Sequence, residues 1–101
     1  MRQGDYVQAE SVVQEGLNLA RKREDQERIS ALLGNLGAIE VYSGSSQKAD
    51  VYYHESLELA RKLSNKERIC ALLQGLGVTA HTRGDYAQAE AYLLEGLALA
   101  R

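Results

Sequence analysis

Apolar residues recur every three or four positions along most of this chain, and no run alternates apolar and polar residues with a period of two. A spacing of three to four places apolar side chains on one face of a helix, whereas a period of two is typical of strands. The pattern therefore predicts an all-α fold with helices over residues 5–24, 26–43, 46–63, 66–83 and 85–101.

Two kinds of apolar stripe alternate along these five helices. The first, third and fifth helices share a stripe rich in Tyr, Ala and Leu, which comprises Tyr6, Ala9, Val13, Leu17 and Ala20, then Ala49, Tyr52, Tyr53, Ser56, Leu57 and Ala60, then Tyr86, Ala89, Leu93, Leu97 and Ala100. The second and fourth helices share a stripe of Ile29, Leu32, Leu33 and Leu36, then Ile69, Leu72, Leu73 and Leu76. Each set forms one apolar stripe along its helix.

The alternation reflects an internal repeat of the sequence. Gly4, Gly44 and Gly84 are evenly spaced and define the period, and the segments ERISALLGNLG and ERICALLQGLG recur at the same spacing. Self-similarity at such a period is the signature of stacked repeats. We expect one domain over residues 1–101, with repeats at 4–43, 44–83 and 84–101.

The two ends of this stack are expected to be uncovered. Terminal repeats normally carry polar caps, but Val7, Val12 and Val13 are predicted to face outward at one end, and Tyr92, Leu93, Leu94 and Leu99 at the other. We therefore expect a piece of a longer array, which forms a homo-oligomer or exchanges helices through its uncapped ends.

Predicted N-caps mark the starts of the helices, and glycines are predicted both in turns and within helices. Asp5, Asp25, Asn65, Asp85 and either Ser45 or Ser46 are predicted N-caps. The glycines at 4, 44 and 84 are expected in turns. Gly16, Gly34, Gly37, Gly75, Gly77 and Gly96 lie inside helical patterns, which predicts close helix crossings there.

The composition argues against several classes of function. The chain has 101 residues, a formal charge of −2 and 26% charged residues, which is typical of a globular domain and argues against electrostatic binding of nucleic acid or anionic lipid. No stretch approaches the roughly 18 apolar residues of a membrane span. A single Cys excludes an intrachain disulfide and favours a cytoplasmic location.

The residues that could carry chemistry do not form a recognisable site. His54 and His81 lack the partners that a zinc site needs, and Cys70 lacks a base at a catalytic spacing. The basic cluster Arg21-Lys22-Arg23 lies beside acidic residues and favours a helix C-terminus over a nucleic-acid contact. We therefore expect no enzyme activity, no metal and no cofactor.

The repeat resembles the tetratricopeptide repeat family. The residues that carry the resemblance are Leu36-Gly37, Gly44, Ala49, Tyr53 and Ser56, then Leu76-Gly77, Gly84-Asp85-Tyr86, Ala89, Leu93 and Gly96, with Gly4-Asp5-Tyr6, Ala9, Val13 and Gly16 in the opening copy. Leu33 and Leu73 stand where the family has an aromatic residue, and the terminal Pro is absent. The long period, from Gly4 to Gly44 to Gly84, is similar to that of the longer-helix variety in kinesin light chains, Leu-Gly-Asn scaffolds and bacterial signalling regulators.

The resemblance implies an α-solenoid of antiparallel helix pairs, with about two and a half repeats in a right-handed superhelix. It also implies that the first helix of each repeat lines a concave groove that binds a protein or peptide partner. The candidate groove residues are Asn35, Ala38, Tyr42, Gln74, Val78 and His81. The alternative is a structural spacer or oligomerisation element of a larger signalling or transcription-regulatory protein.

Overall fold

The structure is a computed structural model that describes residues 3–100, so the predicted domain limits at 1 and 101 and the helix end at 101 lie outside the described residues. The described residues form five helices, which are α1 (Gln3–Lys22), α2 (Gln26–Ser43), α3 (Ser46–Lys62), α4 (Lys66–Thr82) and α5 (Tyr86–Ala100). The predicted all-α fold is confirmed.

The turns between the helices recur at half the period of the sequence. Glu24, Gly44, Ser64 and Gly84 are evenly spaced, and all have a positive φ, between 54° and 90°. After each of them, the next backbone N–H donates to the carbonyl five residues earlier, as Asp25 does to Ala20. This arrangement satisfies the free carbonyls at the end of the helix. The prediction that the first helix runs to Glu24 was wrong, because that residue adopts the left-handed turn conformation.

Side-chain caps begin three of the helices. Asp25 Oδ1 accepts from the N–H of Arg28 at 3.2 Å, Asn65 Oδ1 from that of Arg68 at 3.0 Å, and Asp85 Oδ1 from that of Gln88 at 3.2 Å. These three predicted caps are confirmed, since each side chain satisfies an N–H of the first turn.

Two predictions about helix starts need correction. Ser45 occupies the N-cap position of α3, but its side chain makes no capping hydrogen bond. Asp5 is not a cap and Gly4 is not in a turn, because α1 already begins at Gln3. An acidic residue in the first turn still interacts favourably with the helix dipole, which explains the cap-like pattern at this position.

The helices pack in sequence, each against the next, in two layers. The odd helices α1, α3 and α5 form one layer, and the even helices α2 and α4 form the other, with α2 also touching α4. The short connections between consecutive helices make them antiparallel. The Cα atoms span 34 × 32 × 17 Å, so the molecule is a slab two helices thick.

The core forms between the layers, where the predicted stripes meet. The Ile and Leu stripes of α2 and α4 are buried except for the half-buried Leu32. They pack against Leu17 and Ala20 of α1 in one cluster and against the α3 stripe in the other. Burial of leucine and isoleucine side chains contributes roughly 2 kcal/mol each to stability.

The fifth helix departs from this pattern. Of its apolar stripe only Ala89 is buried, whereas Tyr86, Leu93 and Leu97 are more than half exposed, as was predicted for Leu93. The reason is positional, because α3 has helices on both sides and α5 has one described neighbour. At the other end, Val13 was predicted to face outward but is half-buried against the α1–α2 cluster, while Val7 and Val12 are exposed.

Tyr53 connects three helices through two glycines. A Cβ added to Gly37 of α2 would lie 2.7 Å from Tyr53 Cδ1, and one added to Gly75 of α4 would lie 2.8 Å from Tyr53 Cζ. The tyrosine ring of α3 therefore lies directly on the backbone of both even helices. The glycines were predicted to mark close helix crossings, and at these two positions they make room for an aromatic ring.

Ion pairs connect neighbouring odd helices on the outer surface. Arg21 of α1 pairs with Glu55 of α3 at 3.1 Å, and Arg61 of α3 pairs with Glu95 of α5 at 2.6 Å. Arg61 and Glu95 occupy the positions in the next repeat that correspond to Arg21 and Glu55. All four side chains are more than 40% exposed, so each pair contributes at most about 1 kcal/mol. We call the two pairs the outer ion-pair ladder.

We predict that Gly37→Ala destabilises the protein. Its methyl group would overlap the Tyr53 ring, at a cost of about 1–3 kcal/mol that exceeds the gain in helix propensity of up to about 1 kcal/mol. Gly16→Ala is the control, because its Cβ would be 3.5 Å from Leu32 Cδ1, an ordinary contact, and it should be neutral or stabilising. Urea unfolding followed by circular dichroism measures both. Equal stability changes in the two variants would contradict the role of the ring.

Candidate functional site

The even helices approach one another more closely than the odd helices do. Over the described residues, α2 and α4 contact each other directly, whereas neighbouring odd helices approach through side chains such as those of the outer ion-pair ladder. A stack whose layers differ in spacing curves toward the closer layer, and such curvature creates an extended concave surface. The exposed face of α2 and α4 is therefore the candidate binding surface.

The predicted groove residues are accessible on this surface. Asn35, Tyr42, Gln74, Val78 and His81 are exposed, and Ala38 is half-buried. Tyr42 is 74% exposed and Val78 is 53% exposed. The surface thus offers apolar groups and the neutral amides of Asn35 and Gln74 to a partner.

The structure brings three of the six residues together in one cavity. Asn35, Ala38 and Tyr42 line a cavity of about 410 Å³ between α1 and α2. Its remaining walls are Tyr6, Val13 and Ile39, which the sequence prediction missed. Val13 was predicted to face outward at an uncovered end, but the helical spacing gave no signal that Tyr6 and Ile39 line the same cavity. We call this the α1–α2 cavity.

The other three groove residues lie elsewhere. Gln74 lines a second cavity, of about 790 Å³, between α4 and α5. We call it the α4–α5 cavity; its walls are Lys66, Glu67, Cys70, Ala71, Gln74, Tyr92, Leu93, Gly96, Leu97, Leu99 and Ala100. Val78 and His81 line neither cavity, and the His81 ring packs against Tyr86 with centroids 5.0 Å apart.

A buried carboxyl group lies behind the α2 surface. Glu40 is 3% exposed, its Oε2 accepts from Ser43 Oγ at 3.5 Å, and its Oε1 has no hydrogen-bond partner among the described residues. Burial raises the pKa of Glu40 above its usual value, and the neighbouring Glu10 raises it further, while Lys48 and Ser45 lower it to a smaller extent. Two carboxyl groups therefore meet between α1 and α2.

In the corresponding region of the next repeat, a carboxylate is paired with a cation. Asp50, which occupies the position of Glu10, accepts from Arg83 at 2.6 Å and from Thr79 Oγ1 at 3.1 Å. Ser43 stands at the position of Arg83, so the first repeat lacks this cation.

The residues considered for chemistry occupy helix surfaces. His54 Nε2 is 3.4 Å from the Tyr92 hydroxyl, and Cys70 Sγ is 3.6 Å from the carbonyl oxygen of Gly96. Among the described residues, no three His, Cys, Asp or Glu side chains are placed to hold a metal ion. In the basic cluster, Arg21 is paired with Glu55.

No helix within residues 3–100 is long and apolar enough to cross a membrane. The cytoplasmic location stays a prediction.

Comparison with known proteins gives one finding at the level of the family. A family model described as tetratricopeptide repeat matches residues 27–101, which is about three quarters of the chain. No curated protein matches the sequence.

We predict that Glu40→Gln raises the free energy of unfolding at neutral pH. The pKa of Glu40 is higher in the folded than in the unfolded protein, so the folded state binds more protons and stability falls as the pH rises through that interval. Below about pH 4 both states are protonated and the wild type carries no penalty. The advantage of Gln should therefore be largest above the raised pKa and should vanish in acid.

Thermal unfolding between pH 4 and pH 8 measures this difference. Glu90→Gln on the exposed face of α5 is the control for loss of one negative charge. An advantage for Glu40→Gln that is the same at both ends of the pH range would contradict the carboxyl-pair interpretation.

Proposed function

Because the chain belongs to the tetratricopeptide repeat family, we propose that it is a protein-interaction module whose α2–α4 surface binds a peptide or helix of a partner protein. The repeats of this family are in general modules of protein–protein interaction, and they form a non-catalytic scaffold. The observation that carries the proposal is the combination of exposed apolar side chains and free amide groups along the inner face of α2 and α4.

The chemistry of this face favours a particular kind of ligand. Tyr42 and Val78 offer apolar contact area, and tyrosine is among the residues that contribute most to binding at interfaces. The amides of Asn35 and Gln74 can donate to and accept from a peptide backbone. An extended or helical segment with apolar anchors fits these groups.

A ligand held by its terminal carboxylate is a poor fit. Some members of the family clamp such a carboxylate with Lys, Arg and Asn at the groove positions. Here Asn35 is present, but Ala71 and Gly75 stand where the cations would be. Affinity would therefore come from burial of apolar area and from amide hydrogen bonds, with little dependence on salt.

The second candidate function is structural, as a spacer or oligomerisation element. It is supported by apolar side chains at both ends of the stack. Val7 and Val12 of α1 are more than 60% exposed, and Leu93, Leu94 and Leu97 of α5 are more than half exposed. Exposed apolar patches of this kind are typical of surfaces that associate.

We predict that Val78→Arg weakens peptide binding by the groove. The test uses peptides selected on the wild-type protein from a random phage-displayed library, with affinity measured by fluorescence anisotropy. Arginine would place a charge in the apolar part of the face and should weaken binding by about tenfold or more. Val51→Arg on α3 is the matched control, because Val51 is 64% exposed but lies on an odd helix. Selected peptides that bind both variants equally would contradict the groove.

We predict further that the protein self-associates at high concentration, and that Leu94→Glu shifts it toward the monomer. Sedimentation velocity over a concentration series measures the oligomeric state. A charge on the apolar end face opposes its burial against a second copy. Val51→Glu should leave the oligomeric state unchanged. A wild-type protein that stays monomeric throughout would refute the oligomerisation role and leave the groove proposal intact.

A further inference from the structure

Corresponding positions of two neighbouring repeats differ in their charge balance. In the second repeat, Asp50 of α3 pairs with Arg83, directly after α4, at 2.6 Å. In the first repeat, Glu10 and Ser43 stand at these two positions, and Glu40 adds a second carboxyl group beside Glu10. The first repeat therefore has two carboxyl groups and no cation where the second has one carboxylate and one cation. We call Glu10 and Glu40 the acidic pair.

The missing cation concerns the interior of the stack and not its ends. The region of the acidic pair has α1 on one side of α2 and α3 on the other, so helices pack against α2 from both sides. The residue that would supply the cation stands at the end of α2 and is Ser43, whose hydroxyl carries no charge. A further helix stacked on either end of the molecule would not change this residue. The difference between the repeats is thus a property of the sequence of the first one.

The acidic pair leaves a polar group without a partner. Glu40 is 3% exposed, and its Oε1 has no hydrogen-bond partner among the described residues. A buried carboxylate without a partner destabilises the folded protein. Lys48 on α3 offsets this only in part, because it is exposed and affects the pKa of Glu40 less than burial and Glu10 do. The pair therefore lacks a cation that contacts Glu40 directly.

The end of α2 favours a cation for a second reason. The last turns of α1 and α3 each contain Arg and Lys, and that of α4 contains His81, whereas the last turn of α2 has no basic residue. The C-terminus of a helix carries partial negative charge, which a nearby cation compensates. A cation at the acidic pair would therefore interact favourably with the two carboxyl groups and with the end of the helix dipole.

An arginine side chain fits this place better than lysine or a metal ion does. Its planar guanidinium has five N–H donors and can bind two carboxylates at once, whereas the lysine ammonium is a compact point charge. Its long stem can lie along apolar surface while the charged end reaches a buried acceptor. The Arg83 side chain is 31% exposed in its own pair, so the corresponding place in the first repeat is accessible from solvent. Among the described residues, no third acidic, His or Cys side chain completes a metal site there.

We propose that the acidic pair binds an arginine side chain of a partner protein, whose guanidinium contacts Glu10 and Glu40 as Arg83 contacts Asp50. Repeats of this family in general mediate protein–protein interaction, which favours an arginine on a protein over a free small molecule. The site lies between α1 and α2 and is separate from the α2–α4 groove. The buried carboxylate destabilises the free protein, and the complex satisfies it.

The probe is N-acetyl-L-arginine amide, and N-acetyl-L-citrulline amide is the uncharged control of nearly the same shape. Titrations at neutral pH and constant ionic strength are followed by the amide NMR signals of the protein. The arginine compound should cause saturable shifts around Glu10, Glu40 and Ser43 at millimolar concentration, and the citrulline compound should cause none. N-acetyl-L-lysine amide should bind about threefold more weakly or worse, because it cannot contact both carboxylates in the same way.

Matched variants test whether the acidic pair is the site. Glu40→Gln should weaken binding of the arginine compound by about tenfold or more, because it removes one of the two charges. Glu90→Gln should leave binding unchanged, since Glu90 stands at the position of Glu10 in the third repeat but is exposed on α5. Val78→Arg, in the groove, should also leave it unchanged, so failure of the groove and failure of the acidic pair are distinguishable.

An arginine supplied by the chain itself gives an independent measurement. Ser43→Arg restores the arrangement of the next repeat and should raise the melting temperature at neutral pH, whereas the uncharged Ser43→Gln should not. The difference between these two variants should disappear when Glu10→Gln and Glu40→Gln are both present. The Ser43→Arg protein should also no longer bind the arginine compound, because its own guanidinium occupies the site.

Each of the following results would overturn the proposal. They are absence of saturable binding of the arginine compound up to about 50 mM, equal binding of the citrulline or lysine compound, and unchanged binding by Glu40→Gln. A Ser43→Arg protein that is no more stable than Ser43→Gln would do the same. Saturable shifts with MgCl₂ alone at the same ionic strength would overturn it in favour of a metal site.

Discussion

The contact of one tyrosine ring with two glycines holds the repeats in register. Tyr53 of α3 lies on Gly37 of α2 and on Gly75 of α4, so a single side chain fixes the distance between three helices. A Cβ at either position would push an even helix outward and widen the spacing of the inner layer. The curvature of the α2–α4 surface therefore depends on the absence of two side chains as much as on the presence of one.

Most of the architecture could be predicted because it is local and periodic. Helical spacing, the caps at Asp25, Asn65 and Asp85, and the recurrence of whole segments at a fixed period all follow from short stretches of sequence. The left-handed turns at Glu24 and Ser64 escaped prediction because neither residue carries the signal that Gly44 gives. The meeting of Glu10 and Glu40 also escaped it, since two residues on different helices come together only through packing.

The candidate sites were predictable to a smaller extent. The position of each residue within its repeat predicted that Asn35, Ala38 and Tyr42 share one exposed face. In the structure these three residues line one cavity, whose other walls are Tyr6, Val13 and Ile39. The expectation of an uncovered end anticipated the exposure of Leu93, although Leu93 and Leu97 occupy the same helical positions as the buried Tyr53 and Leu57. Residues at corresponding positions of two repeats differ in burial when a neighbouring helix covers one of them and no described helix covers the other.

The outer ion-pair ladder makes part of the contact between the odd helices sensitive to salt. The inner layer is joined by direct packing of α2 on α4, whereas the odd helices are joined by the exposed pairs Arg21 with Glu55 and Arg61 with Glu95 and by the contact of His54 with Tyr92. Exposed ion pairs are weak and are screened by salt. The contribution of the ladder to the contact between odd helices therefore falls as ionic strength rises, whereas apolar packing within the core does not depend on screening.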